Sequence, residues 1–160
     1  MLYPQLLGAD FDRLPRALRD FHAVPGGGSA SGRVTVRRSR GWLAGLVGFP
    51  AAGERIPLEL RVIANKGRET WIRRFAGVEL RTVQWREGDL LVEAAGPLRI
   101  RFRLRSGERG MRFQSESARL WFVPIPLRIE AREWGDDTSW EFEVIVAGVG
   151  SYRGRMVPIL

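Results

Sequence analysis

The segment 96–105 (GPLRIRFRLR) alternates apolar and basic side chains with a period of two. Successive side chains on a β-strand point to opposite faces, so a strand here has one apolar face and one basic face. A helix would scatter both sets around its circumference. The segment therefore predicts a half-buried antiparallel strand. Its inward set is Leu98, Ile100, Phe102 and Leu104, and its outward set is Arg99, Arg101, Arg103 and Arg105.

Similar strand patterns follow one another from residue 56 to residue 158, separated by turn signals such as Asn65-Lys66-Gly67. They predict a mainly β fold, an antiparallel meander of about eight to ten strands curved into a calycin-like barrel or half-barrel. Pro124 and Pro126 lack backbone N–H donors, so their segment is not a central strand. A helix-grip fold is the alternative, and the lack of a long C-terminal helical pattern weighs against it.

Residues 1–50 form a helix, loop and first-strand region within the single domain that 160 residues predict. Leu14, Leu18 and Phe21 share one helical face, with Asp12 as the expected cap and His22 as the last residue. We expect this helix to cover one end of the barrel. A glycine-rich loop over 25–32 and a strand over 33–40 follow, and then a short helix or buried loop over 41–50.

The composition excludes several kinds of chemistry. The chain has no cysteine and one histidine, so disulfides, thiolate catalysis and multi-histidine metal sites are ruled out. We predict no cofactor, no metal site and no catalytic residue. The N-terminal sequence lacks the pattern of a secretory signal, and no apolar run approaches the roughly 20 residues of a membrane span. A cytoplasmic location is the resulting expectation.

The formal net charge is +8, and every basic residue except Lys66 is an arginine. A positive charge of this size suits nucleic acid or an anionic surface. The arginines are spread along the whole chain, however, which favours a solvated outer face balanced by carboxylates. Nucleic-acid binding is not the favoured function, and it would be further disfavoured if Glu59, Glu141 and Glu143 lie interleaved with the arginines of 96–105.

The segment 68–76 (RETWIRRFA) places Trp71, Arg73 and Phe75 on one face of a strand. If the two aromatic side chains face the core, Arg73 faces it as well. A buried arginine must be paired, because an unpaired charge is very costly away from water. Glu93 and Glu133 have the parity to face inward and pair with it. Such a group is either a ligand-binding centre or a structural ion pair.

Several segments together resemble the DUF4166 family of bacterial domains of unknown function. They are LYPQLLGADFDRLPRALRDFH, GRVTVRRSRG, GFPAAGERIPLEL, TWIRRFAG, GPLRIRFRL, IEAREW with WEFEVIV, and GSYRGRMVP. The resemblance covers almost the whole chain and implies a role near small-molecule metabolism, since members also occur fused behind NAD-binding oxidoreductase-like domains. The positions that it marks are His22, Trp71, Arg73, Phe75, Gly96, Glu133, Tyr152 and Gly154.

The main functional hypothesis is a barrel that binds a small apolar or carboxylate-bearing ligand, accessory to an oxidoreductase partner. Its candidate binding residues are Arg73, Trp71, Phe75, Glu133, Glu93, His22 and Tyr152. A nucleic-acid or anionic-surface binder acting through the outer arginine face is the alternative. An enzyme of unknown reaction is the third hypothesis, and it requires His22, Arg73 and Glu133 to converge in one pocket.

Overall fold

Two short α-helices and a 3₁₀ helix form the N-terminal part of the protein. A computed structural model describes residues 1–39, 44, 49–107 and 109–159. The helical segments are α1 (Leu2–Leu7), a 3₁₀ helix (Gly8–Arg13) and α2 (Arg16–His22). As predicted, Leu14, Leu18 and Phe21 are buried and α2 ends at His22.

The predicted cap at Asp12 is wrong. Asp12 lies in the 3₁₀ helix, and α2 begins after Pro15 without a side-chain cap. Leu14 precedes a proline, which disfavours helical backbone at that residue, and its ψ of 152° is extended. The extended pair at 14–15 therefore separates Asp12 from the first turn of α2.

Eleven antiparallel strands follow in the described part of the chain. They are β1 (Ser29–Arg38), β2 (Gly53–Asn65), β3 (Arg68–Phe75), β4 (Val78–Glu87), β5 (Leu90–Ala95), β6 (Leu98–Gly107), β7 (Gly110–Leu120), β8 (Val123–Ile125), β9 (Ile129–Gly135), β10 (Trp140–Val146) and β11 (Gly150–Ile159). The alternation over 96–105 thus lies on β6, where Leu98, Ile100 and Phe102 are buried.

Ten of these strands close into a barrel. Strands β1 to β7 form a meander, and β7, β9, β10 and β11 continue it until β11 pairs with β1. Short β8 pairs only with the end of β7 and lies outside this ring. Pro124 within it and Pro126 just after it restrict it to this edge position, as predicted. Closure selects the barrel over the half-barrel, and it leaves the wall of the ring without free edges.

The first strand begins earlier than predicted. Ser29–Gly32 was expected to be loop but is part of β1, where it pairs with the middle of β2 and the end of β11. A Cβ at Gly32 would lie 1.9 Å from the Arg155 carbonyl oxygen, so close packing explains the glycine there. The predicted helix or loop over 41–50 lies outside the described residues, apart from Ala44, Phe49 and Pro50.

The barrel has two different ends. α1 and α2 cover the end formed by the turns after β2, β4, β6 and β9, and the Ala17 amide donates to the Asp136 carbonyl there. We call this the capped end. The far end carries the turns after β3, β5, β7 and β10, at 76–77, 96–97, 121–122 and 147–149. Among the described residues, no helix is both long enough and apolar enough to cross a membrane.

Candidate functional site

A cavity of about 140 Å³ lies inside the barrel. Apolar side chains such as Leu98, Phe102 and Ile129 form most of its wall. Phe49, Pro50 and Leu127 line it near the far end. The polar side chains that line it are Tyr3, Arg73, Thr82, Gln84, Glu93, Glu133 and Tyr152. The interior therefore combines an apolar wall with a cluster of hydrogen-bonding and charged groups.

Strand β3 directs Arg73 into this cavity. Trp71 and Phe75, two residues away on either side, are buried, so Arg73 shares their inward face as its parity predicts. Its Nη1 donates to Glu93 Oε1 at 3.2 Å and to Thr82 Oγ1 at 2.9 Å. The guanidinium also lies over the Trp71 ring, 5.0 Å from its centroid. Arg73 is thus held by a carboxylate, a hydroxyl and an aromatic face.

Glu93 also accepts a hydrogen bond from a second chain of polar groups. The Gln84 amide nitrogen donates to Glu93 Oε2 at 3.1 Å, and the Tyr3 hydroxyl donates to Gln84 Oε1 at 3.0 Å. Next to this chain, Glu69 accepts from the Leu2 amide at 3.2 Å and from the Trp71 indole at 3.2 Å. Helix α1 is therefore hydrogen-bonded to β3 and β4 through the Leu2 amide and the Tyr3 hydroxyl.

A hydrogen bond between His22 and Glu133 joins helix α2 to the barrel interior. His22 Nε2 lies 2.9 Å from Glu133 Oε2, and the two side chains are 1% and 15% exposed. An ionised carboxylate only accepts hydrogen bonds, so the His22 tautomer with its proton on Nε2 is the one that donates to ionised Glu133. The ring also packs against Tyr3 and Trp71, with centroids 4.0 and 5.7 Å away. His22 supports Glu133 from behind while Glu133 lines the cavity.

Tyr152 lies among aromatic rings in the wall of the cavity. The rings of Phe49, Phe75 and Phe142 surround it, with centroids 5.6 to 5.9 Å from its own. Burial raises the pKa of Tyr152 to about 12, with Arg73 lowering it and the interior carboxylates raising it further. Tyr152 therefore presents a neutral hydroxyl to the cavity.

The electrostatics of the interior favour neutral tyrosines and a charged arginine. Burial raises the pKa of the Tyr3 hydroxyl well above its ordinary value, and Glu133, Glu69 and Glu93 raise it further. Burial by itself would lower the pKa of Arg73, but Glu93 and the two tyrosines raise it above its ordinary value. Arg73 consequently stays charged inside the barrel.

Five of the seven predicted binding residues line this cavity, and two lie behind it. Trp71, Arg73, Glu133 and Tyr152 also line a neighbouring cavity of about 60 Å³, so they stand between the two spaces. Glu93 lines the larger cavity but not the smaller one. Phe75 packs on Tyr152, and His22 lies behind Glu133. The sequence predicted either Glu93 or Glu133 as the partner of Arg73. In the structure Arg73 pairs with Glu93, whereas Glu133 contacts His22.

Tyr3, Thr82 and Gln84 were missed in the sequence analysis. Apolar Val83 and Trp85 alternate with Thr82 and Gln84, which disguises the inward face of β4. The two-residue turn at 76–77 was the available signal, because it sets Thr82 opposite Trp71 and so on the same face. Tyr3 gives no comparable signal, since nothing local to α1 shows that it enters the barrel.

The arrangement can bind a hydrogen-bonding group but brings only part of a catalytic set together. Arg73 and Glu133 line one cavity, and His22 contacts Glu133 without lining that space. Within the part of the chain that the structure describes, no three histidine, aspartate or glutamate side chains are grouped to hold a metal ion.

Two of the four outer arginines of β6 pair with carboxylates of neighbouring elements. Arg101 pairs with Glu87 at 2.9 Å, and Arg103 pairs with Asp89 at 2.6 Å and with Glu116. Glu59, Glu141 and Glu143 have other closest partners: Glu59 pairs with Arg74, Glu141 with Arg153 and Glu143 with Arg132. Strand order decides which outer side chains meet, and these glutamates lie on β2 and β10, neither of which is hydrogen-bonded to β6.

Comparison of the chain with protein-family models, with curated proteins and with solved structures gave no match. The resemblance to the DUF4166 family therefore stays a prediction.

Proposed function

We propose that the protein binds a small, mostly apolar molecule with one hydrogen-bonding group inside the barrel. The observation that carries this proposal is the 140 Å³ cavity, whose apolar wall surrounds the polar groups of Arg73, Glu93, Glu133 and Tyr152. Sites of this composition are typical of small-molecule binding, because apolar lining supplies affinity and a few polar groups fix orientation.

The cavity volume limits the ligand. An apolar protein cavity of about 150 Å³ accommodates benzene, whereas pockets for drug-sized ligands measure about 300–1,000 Å³. A cavity of about 140 Å³ therefore suits a molecule of roughly six to ten non-hydrogen atoms. A long-chain lipid is too large for this space.

The donors in the cavity suggest the polar group of the ligand. Arg73 uses Nη1 for both of its hydrogen bonds to described residues, so Nε and Nη2 remain as further donors. The Tyr152 hydroxyl lines the same cavity. These donors suit an acceptor such as a carboxylate or a carbonyl oxygen. Glu93 and Glu133 add negative charge nearby, which favours a neutral acceptor over a carboxylate.

Thermal unfolding with and without small aromatic probes tests the proposal. Toluene, benzaldehyde and benzoate share a ring and differ in the polar group. A probe present at 100 times its Kd should stabilise the fold by about 2.7 kcal/mol, which raises Tm by about 8 °C for a chain of this length. We expect Arg73→Met to reduce the rise in Tm that benzaldehyde or benzoate causes, and to leave the rise caused by toluene unchanged.

A cavity-filling variant supplies the matched control. Ala131 lines both cavities, so Ala131→Leu should remove the effect of every probe. Ala94→Leu makes the same change on the outer face of β5 and should leave the effect intact. If no probe raises Tm, or if the probes change the Tm of Ala131→Leu and of Ala94→Leu by the same amount, the cavity is not a binding site.

The outer arginine face is a weaker basis for a function, because Arg101 and Arg103 already pair with carboxylates. We therefore place ligand binding ahead of nucleic-acid binding. An accessory role beside an NAD-binding oxidoreductase stays part of the proposal, and the family resemblance is its support.

A further inference from the structure

The turn between β7 and β8 projects two aromatic side chains from the far end of the barrel. Trp121 is 71% exposed and Phe122 is 82% exposed. Val123, the next residue, and Val78, at the start of β4, are 51% and 71% exposed. From the size of aromatic side chains, the two rings leave on the order of 300 Å² of apolar surface in water. Exposed patches of this size on a monomer are often functional.

The backbone of this turn is unfavourable for a large side chain. Trp121 has a φ of +54°, in the left-handed region that two-residue hairpin turns usually fill with glycine or asparagine. Its amide donates to the Pro97 carbonyl at 2.7 Å, which fixes the turn against the neighbouring 96–97 turn. Neither burial nor turn geometry explains a tryptophan here, so a role outside the folded core is the better explanation.

Arginines surround this aromatic tip. Arg99 and Arg119 are directly opposite each other on β6 and β7, both exposed, although like charges in this position repel. Arg128 is exposed shortly after β8. The sequence between Glu116 and Glu130 contains no carboxylate. The tip is therefore apolar at its apex and positively charged around its base.

The aspartates of the chain lie at the opposite end. All six aspartates of the chain lie in the helical segments or in the turns after β4 and β9, at the capped end: Asp10, Asp12, Asp20, Asp89, Asp136 and Asp137. The aspartates therefore add no negative charge around the tip, where an anionic surface would meet Arg119 and Arg128.

We propose that the far end docks on an anionic lipid bilayer, with Trp121 and Phe122 inserted at the interface and Arg119 and Arg128 on the headgroups. Aromatic side chains favour the membrane interface, and each arginine near an anionic leaflet adds electrostatic attraction. A projecting apolar tip suits a bilayer, which deforms around it. Single-stranded nucleic acid stacks its bases on aromatic rings within a basic groove, whereas this tip projects from the barrel, and a protein partner would need a matching groove. This inference does not depend on the interior cavity.

Co-sedimentation of the full chain with vesicles tests the proposal. We expect binding to phosphatidylcholine vesicles containing phosphatidylglycerol, and much weaker binding to phosphatidylcholine alone. Trp121→Ser/Phe122→Ser should lower the affinity at least about a hundredfold, because most of the inserted apolar area is lost. Arg119→Gln/Arg128→Gln should lower it about thirtyfold on the anionic vesicles only.

Matched variants control for general effects on charge and hydrophobicity. Arg13→Gln/Arg16→Gln removes the same charge at the capped end, and Ile145→Ser removes an exposed apolar side chain from the barrel wall. Both should bind vesicles like the unmodified protein. Circular dichroism and Tm confirm that each variant is folded.

Three results would overturn the proposal. They are an absence of vesicle binding, equal weakening by the control and tip variants, and loss of self-association or of RNA binding as the only effect of the tip variants. The vesicle experiment uses no cavity probe, so its failure would leave the ligand-binding proposal standing. Conversely, Ala131→Leu should abolish probe binding without changing vesicle binding.

Discussion

Replacing Glu93 with glutamine should destabilise the barrel, because Arg73 would lose the carboxylate that compensates its charge. The Arg73 and Glu93 side chains are 16% and 18% exposed, and their closest contact is 3.2 Å. Breaking a fully buried ion pair costs about 3–5 kcal/mol. The partial exposure and the acceptor that glutamine retains reduce this, so we expect a loss of about 2–3 kcal/mol in the free energy of unfolding.

This loss is large enough to measure. A chain of this length has an unfolding entropy of about 340 cal/mol/K near its midpoint, so Tm should fall by about 6–9 °C. Arg73→Met/Glu93→Gln should recover much of that loss, because no unpaired charge then remains inside. Urea unfolding followed by tryptophan fluorescence gives the coupling energy from the full double-mutant cycle.

Arg74 and Glu79 supply the comparison, since they lie on the outer faces of β3 and β4 with a contact of 3.3 Å. Both are solvated, and their cycle should show a far smaller coupling than the interior pair. The explanation would be refuted if the two cycles agreed within error, or if Glu93→Gln left the unfolding midpoint unchanged.

Two further changes follow from the packing and from the pKa of Tyr152. The folded pKa of Tyr152 is about 12 and that of an unfolded tyrosine about 10, so its contribution to stability is complete below pH 10 and is lost as pH rises towards 12. Urea midpoints measured across that range should fall less steeply in Tyr152→Phe than in the unmodified protein, and equal slopes would contradict this. Gly32→Ala should cost about 3 kcal/mol, because its Cβ would meet the Arg155 carbonyl at 1.9 Å. Ser31→Ala on the same strand is the control. Similar Tm values for the two variants would contradict the prediction, because β1 and β11 would then accommodate the added Cβ at no cost in stability.

The period of the sequence was sufficient to predict which side of the wall most residues face. Alternation on a strand is a local property, so parity alone places Arg73 and Glu93 inside together with Trp71 and Phe75. It also places Glu133 inside, on the face of β9 that it shares with Ile129. Pro124 and Pro126 likewise lack a backbone N–H whatever lies beside them, so the edge position of β8 was predictable.

Contacts between distant segments were decided only by the tertiary structure. Pairing of β11 with β1 closes the ring, and that closure brings Tyr152 into the same cavity as Arg73. The choice of Glu93 for Arg73, and of His22 for Glu133, depends on register and helix placement across long sequence separations.

The arginine row of β6 shows both parts of this division. Its outward direction follows from the alternation of 96–105, whereas its partners Glu87, Asp89 and Glu116 follow from strand order and from an irregular register in the β6–β7 pair. A repeating pattern of side chains sets the face of a strand because each residue rotates relative to its neighbour. It leaves the partner open because that depends on which strands lie side by side.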